Sequence, residues 1–213
     1  EPEIPNPRWL KVKNLACGLC GSDIHFMFME MDPKCFPAAT PGIARKYLGH
    51  ELLGEVMETG NEVAGFQKGD RVCLRIDWPS CFQMEMDPMC PQCAQGEYML
   101  CQNLGARELP LTDVGGGFSP RMVMHRTQPF KVPDNLTNDE ALLLEPMACA
   151  VHAVLKHSPT AGNRVLVIGC GTIGLLTVAA VKALAKDAEV TALARYPFQA
   201  DMARALGADE VIT

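Results

Sequence analysis

A few residues scattered along this chain have side chains that bind divalent metal ions. Cys20 offers a thiolate, the pair His50 and Glu51 offers an imidazole and a carboxylate, and Glu145 offers a second carboxylate. Catalytic zinc is typically held by three sulfur, nitrogen or oxygen ligands, and its fourth position is left to water or substrate. Ligands so far apart in sequence must be gathered by the fold, whereas a structural zinc finger takes them from one short loop. The spacing therefore favours an open enzymatic metal site.

Each of these residues alone has a simpler explanation, such as a buried thiol or a hydrogen-bonded core histidine. The wider motifs carry more weight. They read Gly18-Leu19-Cys20-Gly21-Ser22-Asp23-Ile24-His25, Leu48-Gly49-His50-Glu51, Gly69-Asp70-Arg71-Val72 and Glu145-Pro146-Met147-Ala148-Cys149-Ala150-Val151-His152-Ala153. With these motifs the chain resembles the zinc-containing medium-chain alcohol and polyol dehydrogenases from its first residues to its last.

The resemblance implies a role for each residue of the metal site. It places Cys20, His50 and Glu145 on a catalytic zinc ion, with Glu51 either a direct ligand or a neighbour of the ligands. Ser22 and His25 are the implied proton relay, since a histidine titrates near neutral pH. Without the family context, Ser22 would be read as a helix cap and His25 as a solvated helix residue. Asp23 is the expected acceptor that orients the His50 imidazole.

A second cysteine cluster matches a structural zinc lobe of the same family, at about residues 81–101. Cys90, Cys93 and Cys101 give the last three ligand positions by their spacing. A redox pair is the alternative for the first two, but a third cysteine at this spacing favours zinc. For the remaining ligand, spacing favours Asp87, whereas chemistry favours the thiolate of Cys81, which we prefer. Such a site contributes folding energy and no chemistry.

The composition of the chain indicates which kinds of partner are unfavoured and which cellular compartment is expected. The chain has 213 residues with a formal net charge of −6 and a pI near 5.4, which argues against nucleic acid as the main partner. The longest apolar stretch, 165–181, is interrupted by glycines and fits a strand, turn and helix better than a membrane span. Ten cysteines, several at metal-ligand spacing, favour a reducing compartment, by default the cytoplasm. The other cysteines are expected to be buried free thiols: Cys17, Cys35, Cys73, Cys149 and Cys170.

The first part of the chain has the pattern of a β-rich domain. Short β-branched runs at 9–12, 51–59, 71–76 and 121–125 are separated by Gly and Pro, and a helix is predicted over 22–31. Thr137 to Glu140 is a helix-start signal before Ala141–Leu144. We therefore predict an α/β protein in which a β-rich domain, residues 1–150, precedes a second domain, residues 151–213. The resemblance implies that the first is a GroES-like catalytic domain.

From Arg164 onward the pattern changes to that of a nucleotide-binding fold. A buried strand at 165–168 leads into the glycine-rich turn Gly169, Gly171 and Gly174, with Thr172 and Ile173 between the last two. A helix to about 186, a strand at 189–194, a helix at 199–206 and a strand at 210–212 follow. This β-α-β-α-β order predicts the first half of a Rossmann domain, a doubly wound parallel sheet that binds a dinucleotide.

The second strand of this region bears on the choice between NAD and NADP. NAD-binding relatives carry an acidic residue about twenty positions beyond the glycine turn, where it bonds the ribose hydroxyls. Here that place is taken by Ala194 and Arg195, which leave room for a 2′-phosphate and can pair with it. The alternative is that Asp201 serves the ribose. We predict a preference for NADP.

Together these features predict a zinc-dependent oxidoreductase that transfers a hydride between a secondary or polyhydric alcohol and NAD(P). The parent protein is expected to be a homo-oligomer acting on a small-molecule alcohol or carbonyl compound, without membrane or nucleic-acid partners. A member acting on primary alcohols or aldehydes, a non-catalytic zinc-binding protein and a zinc-free quinone reductase are the alternatives. Because the resemblance implies later strands of the cofactor domain, the 213 residues alone are expected to be poorly active.

Overall fold

The computed structural model describes residues 1–28, 48–75, 80–103 and 114–213. These residues form two compact units, Glu1–Leu142 and Leu143–Thr213. The predicted helix residues 29–31, strand residue 76 and Cys35 lie outside the described residues.

The first unit is built on an antiparallel five-stranded sheet. Its strands are β1 (Trp9–Cys17), β2 (Leu52–Thr59), β3 (Arg71–Leu74), β4 (Arg121–His125) and β5 (Pro129–Lys131), in the order β4-β1-β2-β3-β5. Alternate residues of the strands point into one core, which includes Leu10, Val12, Leu52, Val56 and Val72. Strand β1 is longer than predicted, and β5 was not predicted.

A bulge interrupts strand β1 close to its end. Asn14 lies opposite Gly54 of β2, and Ala16 lies opposite Leu53, so Leu15 is an extra residue without a partner in the ladder. The pairing of β1 with β4 ends at Lys13. Bulges of this kind bend a strand and re-aim its side chains, and this one immediately precedes the loop that carries Cys20.

The described part of the first unit also contains four short helical segments. They are α1 (Gly21–Met27), α2 (Pro91–Ala94), a 3-10 turn (Tyr98–Leu100) and α3 (Asn138–Leu142). The predicted helix-start signal at Thr137 is confirmed: the Glu140 N–H donates to Thr137 Oγ1 (3.3 Å), and the Glu140 carboxylate accepts from the Thr137 N–H (2.8 Å). This reciprocal pair is a capping box.

The second unit is a layered α/β structure. It contains α4 (Leu144–Lys156), β6 (Arg164–Ile168), α5 (Thr172–Leu184), β7 (Glu189–Leu193), α6 (Pro197–Ala205) and β8 (Glu210–Ile212), and its parallel strands lie in the order β6-β7-β8. The helices and one set of strand residues share a core that includes Val167, Val178, Val190, Ala192 and Ala200. Alternating strand residues are exposed instead: Leu166, Ile168, Leu193 and Ile212.

The division between the units lies at 142/143, earlier in the chain than the 150/151 boundary expected from the sequence. The reason is that residues 144–156 form one continuous helix, α4, which packs against α5 and so belongs wholly to the second unit. Among the described residues, no helix has both the length and the apolar character needed to cross a membrane. The apolar stretch 165–181 is divided between β6, a tight turn and α5.

Candidate metal sites and cofactor-binding residues

The loop between β1 and α1 places Cys20 directly before the first turn of a helix. Asp23, in that first turn, accepts a hydrogen bond from the Cys20 N–H (3.0 Å) and donates its own N–H to the Cys20 carbonyl (3.1 Å). The Asp23 side chain is buried, so a carboxylate without such bonds would be costly there. Its reciprocal bonds with Cys20 fix the backbone from which the thiol projects.

The same carboxylate also fixes the second ligand segment. The other oxygen of Asp23 accepts the Gly49 N–H at 3.0 Å. Asp23 Oδ1 lies 3.7 Å from His50 Nδ1, which is beyond hydrogen-bond distance. Asp23 therefore acts mainly on the backbone of Cys20 and Gly49, whereas the sequence predicted a direct bond to the imidazole.

These hydrogen bonds bring together three side chains of the first unit that can bind a metal ion. One ligand atom each of Cys20, His50 and Glu51 lies within 4.8 Å of the others, and all three residues are half-buried. The Gly18 N–H donates to the Glu51 carbonyl (2.7 Å), which ties the two segments together at the level of the ligands. Sulfur, nitrogen and oxygen ligands at this spacing, all partly exposed, fit the ligand set of an open zinc site.

The remaining residues predicted for this site have known positions but untested roles. Ser22, half-buried, and His25, exposed, lie on α1, which Cys20 precedes. Glu145 lies in the first turn of α4 and belongs to the second unit. Its place on the metal, and the relay role of Ser22 and His25, stay predictions.

The cysteine lobe, which we define as residues 80–103, contains the second cluster. Cys81, Cys90, Cys93 and Cys101 each offer a sulfur within 4.8 Å of the others, and all four are buried. Asp87, the alternative fourth ligand, is not a member of this group. The Cys81 and Cys101 sulfurs are 3.8 Å apart. Four thiolates at zinc–sulfur distances of about 2.3 Å in a tetrahedron would be about 3.8 Å apart, so the cluster fits zinc.

The thiols of the lobe lie in contrasting environments. The Cys93 N–H donates to the Cys90 sulfur (3.4 Å), and this bond is the largest of several hydrogen bonds that lower the pKa of Cys90 to about 6. Burial raises the pKa of Cys93 to about 12 and also raises that of Cys101. The Cys81 sulfur accepts from the Cys90 N–H (3.4 Å) and from Asn103 Nδ2 (3.3 Å). Backbone donors aimed at sulfur stabilise a thiolate, as expected around a metal ligand.

Glu85 connects the lobe to the start of β1. Its carboxylate accepts hydrogen bonds from Asn6 Nδ2 (2.7 Å) and Trp9 Nε1 (3.4 Å) and lies 3.7 Å from Arg8 Nη1. Burial alone would raise the pKa of Glu85, but these partners outweigh it and hold the pKa below its usual range. The backbone of Glu85 has a φ of 49°, in the left-handed region that a glutamate seldom adopts. The hydrogen bonds and the ion pair offset that cost.

In the second unit, the glycine turn predicted for a dinucleotide connects β6 to α5. Gly169 has a φ of 92°, and its N–H donates to the Leu193 carbonyl of β7 (3.0 Å). Gly171 directly precedes α5. A Cβ at Gly174 would overlap the Gly169 carbonyl oxygen, so only glycine permits this close approach of helix and turn. Thr172 and Ile173 open the helix between them.

The residues predicted to choose the cofactor lie at the end of β7. Ala194 is buried, whereas Arg195 is exposed and its guanidinium carbon lies 5.2 Å from the centre of the Tyr196 ring. The Arg195 N–H donates to Gln199 Oε1 (3.2 Å). Asp201, the alternative ribose partner, forms an ion pair with Arg204 at 3.0 Å.

Two cysteines differ from the sequence prediction. Cys149, expected in the core, is exposed, because α4 buries Pro146, Ala150 and Val154, and Cys149 lies off that stripe. Cys17 is half-buried, while Cys73 and Cys170 are buried as expected.

Sequence reasoning also missed a turn, Gly115–Ser119, that contacts the metal-site backbone. The Gly117 N–H donates to the Gly49 carbonyl (2.7 Å), next to His50. Three successive glycines, Gly115 to Gly117, were the available signal, since glycine in such a position often marks a close backbone approach.

Comparison with known proteins agrees with this geometry. The alcohol dehydrogenase GroES-like domain family matches residues 6–134. The chain belongs to that family. Its recognition from sequence as a zinc-containing medium-chain dehydrogenase is thereby confirmed.

Relatives of this alcohol dehydrogenase GroES-like protein include proteins named as dehydrogenases. The chain is 36% identical over 213 residues to (R,R)-butanediol dehydrogenase of Bacillus subtilis (strain 168), covering 98% of this chain and 57% of that protein. It is 32% identical to sorbitol dehydrogenase of the same organism, covering 99% and 55%. A crystal structure described as a zinc-binding dehydrogenase from Sinorhizobium meliloti 1021 bound to NADP matches with a TM-score of 0.77 and 33% identity, covering 99% of this chain and 56% of that one. The chain thus spans just over half the length of these proteins.

Proposed function

We propose that this protein is part of a zinc-dependent alcohol dehydrogenase that transfers a hydride between a secondary or polyhydric alcohol and a nicotinamide dinucleotide. The observation that carries the proposal is the convergence of Cys20, His50 and Glu51 within 4.8 Å. The relatives named for butanediol and sorbitol support alcohols with more than one hydroxyl group as substrates.

The metal would be held by Cys20, His50 and Glu145, as the family resemblance implies, with Glu51 either a further direct ligand or a neighbour of the ligands. When bound, zinc would polarise the oxygen of the substrate as a Lewis acid. Asp23 keeps the segments of Cys20 and His50 in place through its two backbone hydrogen bonds. The Ser22 hydroxyl would accept the proton of the alcohol, and His25 on the same helix would pass it towards solvent.

The second unit would bind the dinucleotide. The order β6-α5-β7-α6-β8 and the glycine turn at Gly169–Gly174 are the features of the first half of a Rossmann domain. An exposed Arg195 beside a buried Ala194 supports NADP as the preferred cofactor, because no carboxylate occupies the place of a ribose ligand. The four cysteines of the lobe would hold a second, structural zinc ion. Their thiol chemistry supports a reducing compartment such as the cytoplasm.

Metal analysis and kinetics of the full-length protein test the proposal. We expect zinc at both clusters, turnover on secondary alcohols and polyols, and loss of one zinc ion together with all turnover in Cys20→Ser and His50→Ala. The exposed Cys149→Ser is the matched control and should keep both. Ser22→Ala should keep its zinc and lose turnover, which separates the relay from metal binding. A protein without zinc, or a Cys20→Ser variant with normal zinc content and turnover, would overturn the proposal.

A further inference from the structure

Asn14 of β1 makes an unusual set of hydrogen bonds to the Gly115–Ser119 turn. Its Nδ2 group lies 2.6 Å from the Ser119 carbonyl, 2.8 Å from that of Gly116 and 3.3 Å from that of Gly117. Gly116 and Gly117 are buried, so these carbonyls need partners within the protein. The side-chain amide of this one residue thus hydrogen-bonds to three carbonyl groups of the turn.

The position of Asn14 in the sheet explains why a side chain has this task. The ladder between β1 and β4 ends at Lys13, and the Asn14 N–H still donates to the Pro120 carbonyl (3.0 Å). Beyond this point strand β1 has its bulge at Leu15, and the backbone ladder with β4 does not continue. The side-chain amide of Asn14 makes hydrogen bonds there instead of the backbone. The Asn14 Oδ1 atom is buried and accepts no hydrogen bond from the described part of the chain. The amide is therefore oriented by the carbonyls alone.

The Gly115–Ser119 turn, positioned by Asn14, holds the backbone beside His50. The Gly117 N–H donates to the Gly49 carbonyl (2.7 Å), while the Gly49 N–H donates to Asp23. A Cβ at Gly117 would lie 2.6 Å from the Gly49 carbonyl oxygen, and it would overlap the sulfur of Cys17. Gly49 is thus held on one side by the Asp23 carboxylate and on the other by the turn that Asn14 organises.

We propose that Asn14 is a positioning residue of the Cys20–His50–Glu51 metal site, acting through the Gly115–Ser119 turn and the Gly49 backbone. This inference rests on the proposed function, because it requires that the three residues bind metal. Asn14 acts through its hydrogen bonds to the turn, and it thereby restricts the direction in which His50 projects. The property it controls is the rate at which the metal leaves. Loss of a group that orients a ligand typically weakens a metal site ~10–100-fold.

The test compares zinc release from Asn14→Leu and wild type to a chromophoric chelator, below the unfolding temperature. Cys20→Ser identifies which kinetic phase belongs to this site. Leucine has a side chain of similar volume to asparagine but no N–H donors. We expect the Asn14→Leu variant to release this zinc about 10-fold faster or more. The zinc of the cysteine lobe should leave at the wild-type rate. Cobalt substituted at the site should show altered visible absorption bands.

Two further variants keep the test decisive. Gly117→Ala keeps the Asn14 side chain and pushes the turn away from Gly49, so it should also accelerate release. It replaces Asn14→Leu in the test if that variant does not fold. Val56→Ala creates a cavity in the core of the same sheet and controls for general destabilisation. Release at the wild-type rate in a folded Asn14→Leu or Gly117→Ala protein, or acceleration equal to that of Val56→Ala, would overturn the inference and leave the proposed function standing. A wild-type protein without metal at Cys20 would overturn both.

Discussion

Asp23 connects the backbone segments that carry Cys20 and His50, and Asp23→Asn tests its importance for the proposed metal site. The carboxylate accepts two backbone N–H groups, each at 3.0 Å, in a buried position. The amide of asparagine keeps one acceptor oxygen and turns an NH2 group towards the other N–H. One bond to a charged acceptor is lost and one buried donor is left unsatisfied. We expect a loss of about 2–4 kcal/mol in the free energy of unfolding.

The same change should weaken zinc binding at Cys20 by ~10–100-fold, because the two ligand segments lose their common partner. Denaturant unfolding followed by circular dichroism measures the stability, and competition with a chelator measures the affinity. Asp70→Asn is the matched control: Asp70 accepts the Gln67 N–H (2.9 Å) and pairs with Lys131 (2.8 Å), away from the metal residues. It should lose stability and keep its zinc affinity. If Asp23→Asn changed neither quantity, the role assigned to these hydrogen bonds would be wrong.

Three further predictions concern the lobe, a buried histidine and the cofactor. Cys93→Ser should release the zinc of the lobe and lower the melting temperature while the zinc at Cys20 is retained, as metal analysis and calorimetry can show; retention of both ions would contradict it. Burial lowers the pKa of His125 to about 4 from its usual 6.5, so the unfolded chain gains a proton first as the pH falls. The stability that neutral His125 contributes is complete above pH 6.5 and is lost towards pH 4, by about 3 kcal/mol. Denaturation of His125→Gln at these pH values should not show this loss, whereas denaturation of the exposed control His157→Gln should show it. The double change Ala194→Asp and Arg195→Leu should shift catalytic efficiency from NADP towards NAD; a wild-type protein more efficient with NAD would refute the preference.

The elements of the second unit from β6 onward could be read from the sequence because each carries a local signal. A continuous apolar run ends at Ile168, glycines follow at once, and an apolar helix begins. Helix α4 was missed because Pro146 reads as a helix boundary, although proline is tolerated in a first turn such as this one. Strand β5 was missed because three residues that begin with proline resemble a turn.

The residues proposed as metal ligands and the residues that support them differ in how far the sequence reveals them. The chemistry of Cys20 and His50 is visible in their types and motifs, but their approach within 4.8 Å depends on contacts across the fold. Asn14 could not be found this way, because a strand side chain that bonds to distant carbonyls leaves no periodic pattern. The exposure of Cys149 was equally hidden, since it depends on which stripe of α4 faces α5.

The link between Glu85 and Trp9 gives the protein an internal optical probe. The chain has two tryptophans, and Trp78 lies outside the described residues. The Trp9 indole is buried, donates to a carboxylate carried by the lobe, and packs edge-on against His125 with ring centres 5.5 Å apart. Its emission should therefore respond to any movement of Glu85. Removal of the metal proposed for the four cysteines should change the tryptophan fluorescence, which needs no label and can be followed in real time.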